Sequence, residues 1–267
     1  MILLTIGHLL GDFYFQTNEL AKKKREKIRY ILIHCAIYVL IIYFFVTFQL
    51  QSFEDAMVPA ALIGLLHLWV DSIKIAISEK YKDNPKIEIA LFGVDQAIHM
   101  ICIIAIAIGY CIALDVSKFS FLPLVVLEKE KLLLVVICLM LALGAPTSVL
   151  VALVFKMIPI TVRKADELKI NEENSKGKQT NTLEYQASFK EGTKIGTWIG
   201  VLEREIIFML GMLGQYEAIG FVIAAKSIAR YGQLDNKDFA EKYLIGTLLS
   251  AFVAILSVFV CKYIMGM

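Results

Sequence analysis

The chain contains four histidines, His8, His34, His67 and His99. Three of them stand four residues from an aspartate: His8 and Asp12 in GHLLGD, His67 and Asp71 in LLHLWVD, and Asp95 and His99 in FGVDQAIH. On a helix, side chains four apart share one face, one turn apart. Neutral imidazole and carboxylate are ligands for zinc, and also for iron or manganese. Three histidines with one open position make a catalytic zinc arrangement, and two ions bridged by carboxylates is another that these ligands permit. In either, Asp12, Asp71 and Asp95 serve as further ligands, as groups that orient a histidine, or as the base in catalysis.

The order within the pairs carries information. Histidine comes first in the segments holding His8 and His67, whereas aspartate comes first in the segment holding His99. If the third of these helices runs antiparallel to the other two, the reversal keeps like groups at like depth. Counting from the inferred cytoplasmic ends, the aspartates lie roughly 10 Å deep and the three paired histidines roughly 16 Å deep. His34, which has no aspartate at this spacing, falls nearer the aspartate layer and is a lesser ligand candidate. A charged residue at the centre of a membrane helix costs about 2.5–3.5 kcal/mol by insertion scales. The three carboxylates must therefore face the bundle interior, a partner or a cation. The rival readings are a polar packing core, a proton or cation pathway, and haem ligation. Haem is disfavoured because the ligand face carries a carboxylate one turn away.

Polar neighbours extend the pattern. Gln16 lies one turn beyond Asp12, Gln96 adjoins Asp95, and Lys74 follows Asp71 at i+3. Lys74 either pairs with Asp71, reaches the interface, or meets an anionic head group.

The elements that position these groups follow from composition. Of 267 residues, 58% are hydrophobic and only five are proline, and several apolar runs reach the ~20 residues needed to cross a bilayer core. An all-α polytopic transmembrane bundle is expected, with about 6–8 membrane segments, since helices satisfy their own backbone in lipid. The segments are 2–19, 28–49, 56–78, 88–114, 131–158, 194–213, 216–230 and 243–264. The first is short, the sixth holds Glu203, Arg204 and Glu205, and the seventh is short again, so these three are doubtful as full spans. The first has no basic leader or small-residue cleavage site, so it does not read as a removed signal peptide. Basic loops AKKKREKIRY and SEKYKDNPKIE belong on the cytoplasmic side, and the acidic QLQSFED outside. The chain then divides into an amino-terminal membrane domain (1–114), a fifth segment with its external loop (115–158), a polar cytoplasmic linker (159–193) and carboxy-terminal helices (194–267). Its expected place is a cell membrane, crossed many times. The five scattered cysteines read as small core residues. A net charge of +2 says little about partners; no nucleic-acid partner is expected, and an oligomer is open.

A second cluster lies in GTWIGVLEREIIFMLGMLGQYEAIGFVIAAKSIAR. It reads as two short helices around a turn near Gly214, which would pair Glu203 with Lys226. The alternative is an anion clamp of Arg204, Lys226 and Arg230 oriented by Glu203.

On GHLLGDFYFQ with its following lysine run, the lone His34, LLHLWVDSIK and FGVDQAIH, the chain resembles a bacterial polytopic membrane family known as domain of unknown function 3307. GTWIGVLERE and AIGFVIAAKSIAR look like the carboxy-terminal half of its longer members. The resemblance implies the order of segments and no activity. The HxxxD pairs are also similar to those of bacterial inner-membrane proteins labelled metal-dependent hydrolases. The expectation is thus an intramembrane site for a divalent metal, zinc first, near the cytoplasmic face. It would serve a hydrolase acting on a lipid or another anionic amphiphile, held by Gln16, Lys74, Gln96, Glu203, Arg204, Lys226 and Arg230. A cation- or proton-coupled transporter and a structural or signalling component are the alternatives.

Overall fold

A computed structural model describes residues 1–81, 84–113, 128–157, 182–235 and 237–266. These are helical with no strand among them. In chain order they form α1 (Ile2–Leu9), a π-helical turn (Leu10–Tyr14), α2 (Asn18–Lys23), α3 (Ile28–Leu50), α4 (Phe53–Lys80), α5 (Pro85–Ala113), α6 (Glu128–Leu143), α7 (Ala145–Met157), α8 (Thr182–Met212), α9 (Tyr216–Ala229), a short 3-10 turn (Tyr231–Gln233) and α10 (Lys237–Met265). Five stretches are long and apolar enough to cross a membrane: Ile28–Leu50, Phe53–Lys80, Pro85–Tyr110, Glu130–Met157 and Phe239–Met265. Ile2–Tyr14 is apolar but shorter. The sixth and seventh sequence segments fall in α8 and α9, and neither is among the five. Glu203, Arg204 and Glu205 account for the first exclusion and the brevity of α9 for the second.

The chain divides into two compact units, Met1–Pro146 and Thr147–Met267. In the first, α1 packs on α3 and α6, and α3 to α5 form a sequential antiparallel set. Its apolar core joins Leu4, Tyr38, Ile42, Val46, Ala56, Ala60, Ile63, Ile103 and Ala107. Outward faces carry Leu40, Phe44, Phe48, Leu65 and Trp69, all exposed. So large an apolar surface is what helices facing lipid present. Close helix approach depends on small residues. A β-carbon at Gly11 would lie 2.8 Å from the Tyr38 ring, and one at Gly64 would lie 2.1 Å from Val39 Cγ2. These glycines let the π turn and α4 each settle against α3.

In the second unit, α8 packs against α9 and α10. The turn after α8 carries Gly214 at φ 74°, the left-handed conformation that favours glycine. That is the turn expected from sequence. α8 begins at Thr182, earlier than residue 194, because TLEYQASFKE is free of proline and rich in helix formers. The linker residues 159–181, with residue 158 before them, and residues 114–127 lie outside the described residues.

Candidate metal centre

All four histidines and the three paired aspartates are buried in the first unit, with exposures between 1% and 6%. Four helical elements supply them: α1 and its π turn give His8 and Asp12, α3 gives His34, α4 gives His67 and Asp71, and α5 gives Asp95 and His99. The structure thus brings together residues that stand up to 91 positions apart in sequence, from His8 to His99.

His34 is the junction. Its Nε2 lies 3.1 Å from His67 Nε2, 3.3 Å from Asp12 Oδ1 and 3.5 Å from Asp71 Oδ2. His67 Nε2 is 3.9 Å from the same Asp71 oxygen. Two carboxylate oxygens and a second imidazole nitrogen therefore converge on one ring nitrogen that can offer at most one proton. His34 Nδ1 and His67 Nδ1 make no hydrogen bond among the described residues.

His99 is held differently. Its Nδ1 lies 2.9 Å from the Asp95 carbonyl oxygen. A carbonyl only accepts, so Nδ1 carries the proton and Nε2 keeps its lone pair in the neutral ring. That Nε2 is buried and makes no hydrogen bond, as is true of Asp95 Oδ1 and Asp71 Oδ1.

Gln96 braces the group. Its amide nitrogen donates to Asp12 Oδ2 at 3.1 Å and to Asp95 Oδ2 at 2.9 Å. Its Oε1 must then accept from His8 Nε2, 3.1 Å away. This leaves His8 Nδ1 to accept from the Tyr38 hydroxyl at 3.1 Å. Both nitrogens of His8 are thereby engaged. Tyr38 also stacks on His67, with ring centroids 3.7 Å apart and planes within 6°.

Two lysines approach the carboxylates. Lys24, only 8% exposed, donates to Asp71 Oδ2 at 2.8 Å and to Gln16 Oε1 at 2.7 Å. Lys74 donates to Asp95 Oδ2 at 2.5 Å. It therefore pairs across to α5 and not with Asp71 on its own helix. Thr17 caps α2 by accepting from Leu20 N, and this short helix directs Lys24 inward. Its neighbours Lys22, Lys23 and Arg25 stay exposed.

Three combinations can hold an ion, with one ligand atom per residue and all atoms within 4.8 Å of one another: Asp12, His34 and His67; His67, Asp71 and His99; Asp12, Asp95 and His99. His34 belongs to one of them and His8 to none. Asp12 does not pair with His8 in its own element but faces His34. The π turn carrying it departs from the α-helical register that the sequence spacing assumes.

Lys24 and Tyr38 are absent from the residues singled out by sequence. Lys24 is hidden in a run of four basic residues, KKKR, and only its position one turn after Leu20 sets it apart. Tyr38 stands four residues after His34 in HCAIY, the same one-turn spacing as the His–Asp pairs.

The carboxy-terminal candidates lie in the second unit. Lys226 bonds to Glu203, the pairing expected of an antiparallel hairpin. Arg204 donates to Ser148 Oγ at 2.6 Å and to Ser250 Oγ at 3.5 Å. Arg230 turns to Gln233 Oε1 at 3.4 Å on the exposed end of α9. Lys226 and Arg230 thus go to different partners. Adjacent positions on a helix point about 100° apart, which separates Arg204 from Glu203.

No curated protein and no solved structure matches this chain. A family model matches residues 1–127, the part that carries every His–Asp pair, and stops short of GTWIGVLERE and AIGFVIAAKSIAR. Residues 1–127, just under half of the chain, are similar to the family described as Protein of unknown function (DUF3307).

Proposed function

We propose that this is a multi-pass protein of a cell membrane that binds a divalent metal, zinc first, among the histidines and aspartates of α1, α3, α4 and α5. The observation that carries this reading is the spacing around His34. Zinc bonds to nitrogen and oxygen at about 2.0–2.1 Å in a tetrahedron, which sets neighbouring ligand atoms roughly 3.3 Å apart. His34 Nε2 meets that spacing with His67 Nε2 at 3.1 Å and with Asp12 Oδ1 at 3.3 Å, and these three form one of the combinations that can hold an ion. Two carboxylate oxygens and a second imidazole nitrogen gathered around one ring nitrogen are a donor set that a cation can satisfy together. His8 then acts as a brace, fixing Gln96 and Tyr38 and through them Asp12 and His67.

An ion there would act as a Lewis acid toward a phosphoryl or carbonyl oxygen. Lys24 and Lys74, close to two of the carboxylates, suit an anionic head group. These features support hydrolysis of a lipid or other anionic amphiphile as the reaction class. A second reading, coupling of a cation or proton to transport, is favoured by the same two lysine–aspartate pairs. An entering cation or proton would have to break them, and that is how an intramembrane carboxylate couples binding to movement.

The test is elemental mass spectrometry on protein purified in detergent without chelator, wild type beside His67→Ala. We expect near-stoichiometric zinc, manganese or iron in the wild type and a loss of most of it in the variant. Folded protein carrying no metal in either sample would remove the metal reading, and ion flux in liposomes, wild type against Asp71→Asn, would then decide for or against transport.

A further inference from the structure

We infer that the centre takes two divalent ions, bridged by the carboxylate of Asp12. This rests on the metal reading above and adds its nuclearity. A neutral imidazole has one lone pair, so a histidine serves one ion at a time, whereas a carboxylate has two oxygens and can serve two. The combination of His67, Asp71 and His99 takes a histidine from each of the others. It competes with both and cannot be filled beside either. The remaining two, Asp12 with His34 and His67, and Asp12 with Asp95 and His99, share Asp12 alone. They are the one pair that can be filled together.

The orientation of Asp12 fits this role. Oδ1 faces His34 at 3.3 Å, while Oδ2 faces the other side, where Gln96 ties it to Asp95. The second set also holds its own signs of a ligand. His99 Nε2 is a lone pair fixed by the Asp95 carbonyl, and Asp95 Oδ1 is a second buried acceptor; neither makes a hydrogen bond. Asp95 Oδ1 lies 3.5 Å from His99 Nδ1, and Asp12, Asp95 and His99 each offer a ligand atom within 4.8 Å of the others. The second set adds one imidazole and one carboxylate to the shared Asp12, an oxygen-rich donor set that suits manganese or iron as well as zinc. Carboxylate-bridged ions sit about 3.5–4 Å apart, the separation at which two metals clamp the attacking and leaving oxygens of one displacement. Gln96 is the positioning residue of the pair, since it holds both non-histidine ligands of the second ion.

The full-length chain in detergent is loaded with Mn²⁺ alone, freed of excess ion, and assayed for bound manganese and its electron paramagnetic resonance spectrum. Two ions per chain with an exchange-coupled spectrum are expected in the wild type. His99→Ala is expected to fall to one ion per chain with the six-line spectrum of isolated Mn²⁺. One uncoupled ion in the wild type would overturn the bridged pair and leave the metal reading standing. Two ions without coupling would overturn the Asp12 bridge. Folded protein binding no Mn²⁺, and carrying no metal as purified, would overturn both. If His99→Ala does not fold, the count and coupling in the wild type decide alone.

Discussion

At the scale of single residues, charge balance governs the site. Three aspartates and two lysines occupy one buried region, and Lys24 reaches it from a helix whose other charges are exposed. Removing one partner of a buried ion pair typically costs about 3–5 kcal/mol, because the other charge is left without compensation. Lys24→Met is therefore expected to lower stability by about 3 kcal/mol, measured by thermal unfolding in detergent. Lys24→Met combined with Asp71→Asn should recover most of that loss, since no uncompensated charge remains. If the double variant is as unstable as the single, Lys24 acts through packing and not through its pair with Asp71. The sequence makes the His–Asp pairs legible because an ionisable residue in an apolar run is conspicuous. Lys24 is not legible in this way, because a lysine among lysines at a helix end carries no local mark of burial.

At the scale of elements, glycines decide whether the ligands meet. α4 lies so close to α3 at Gly64 that the added β-carbon would fall 2.1 Å from a methyl of Val39. Val39 is β-branched and has little rotameric freedom in a helix. Gly64→Ala should thus cost about 1–3 kcal/mol through overpacking and weaken metal retention, because His67 sits one turn further along α4. Val39→Ala placed in the same chain should restore both, as read by unfolding temperature and metal content. Gly93 is the control: a β-carbon there meets nothing within 4 Å, and Gly93→Ala should be neutral or gain up to about 1 kcal/mol from helix propensity. The helices themselves follow from the apolar runs, and α3, α4 and α5 fall close to their sequence-derived bounds. The π turn at Leu10–Tyr14 does not follow from them. Its extra residue per turn is set by how α1 meets α3, not by a local pattern, and so the pairing of Asp12 with His34 is visible only in three dimensions.

At the scale of the whole molecule, loop charge sets the expected orientation. The basic stretch through α2 lies at the end of α3 that carries His34, and the turn at Gln51–Ser52 lies at the opposite end. With basic loops cytoplasmic, a cysteine at Glu54 in a chain whose own cysteines are replaced should react with an impermeant thiol reagent added to intact cells. One at Glu26 should react only after the membrane is opened. The reverse result would put the His–Asp cluster near the outer face.

The buried pair of Lys24 and Asp71 has a consequence for how such a protein is made. Because two compensating lysines belong to the same chain as the three carboxylates, two of the three buried negative charges are paired as soon as α1 to α5 assemble. Synthesis need not wait for a metal. On the proposed metal reading, a cell short of the ion would accumulate intact apoprotein in place of degraded chain, and resupply would load the existing population without new translation.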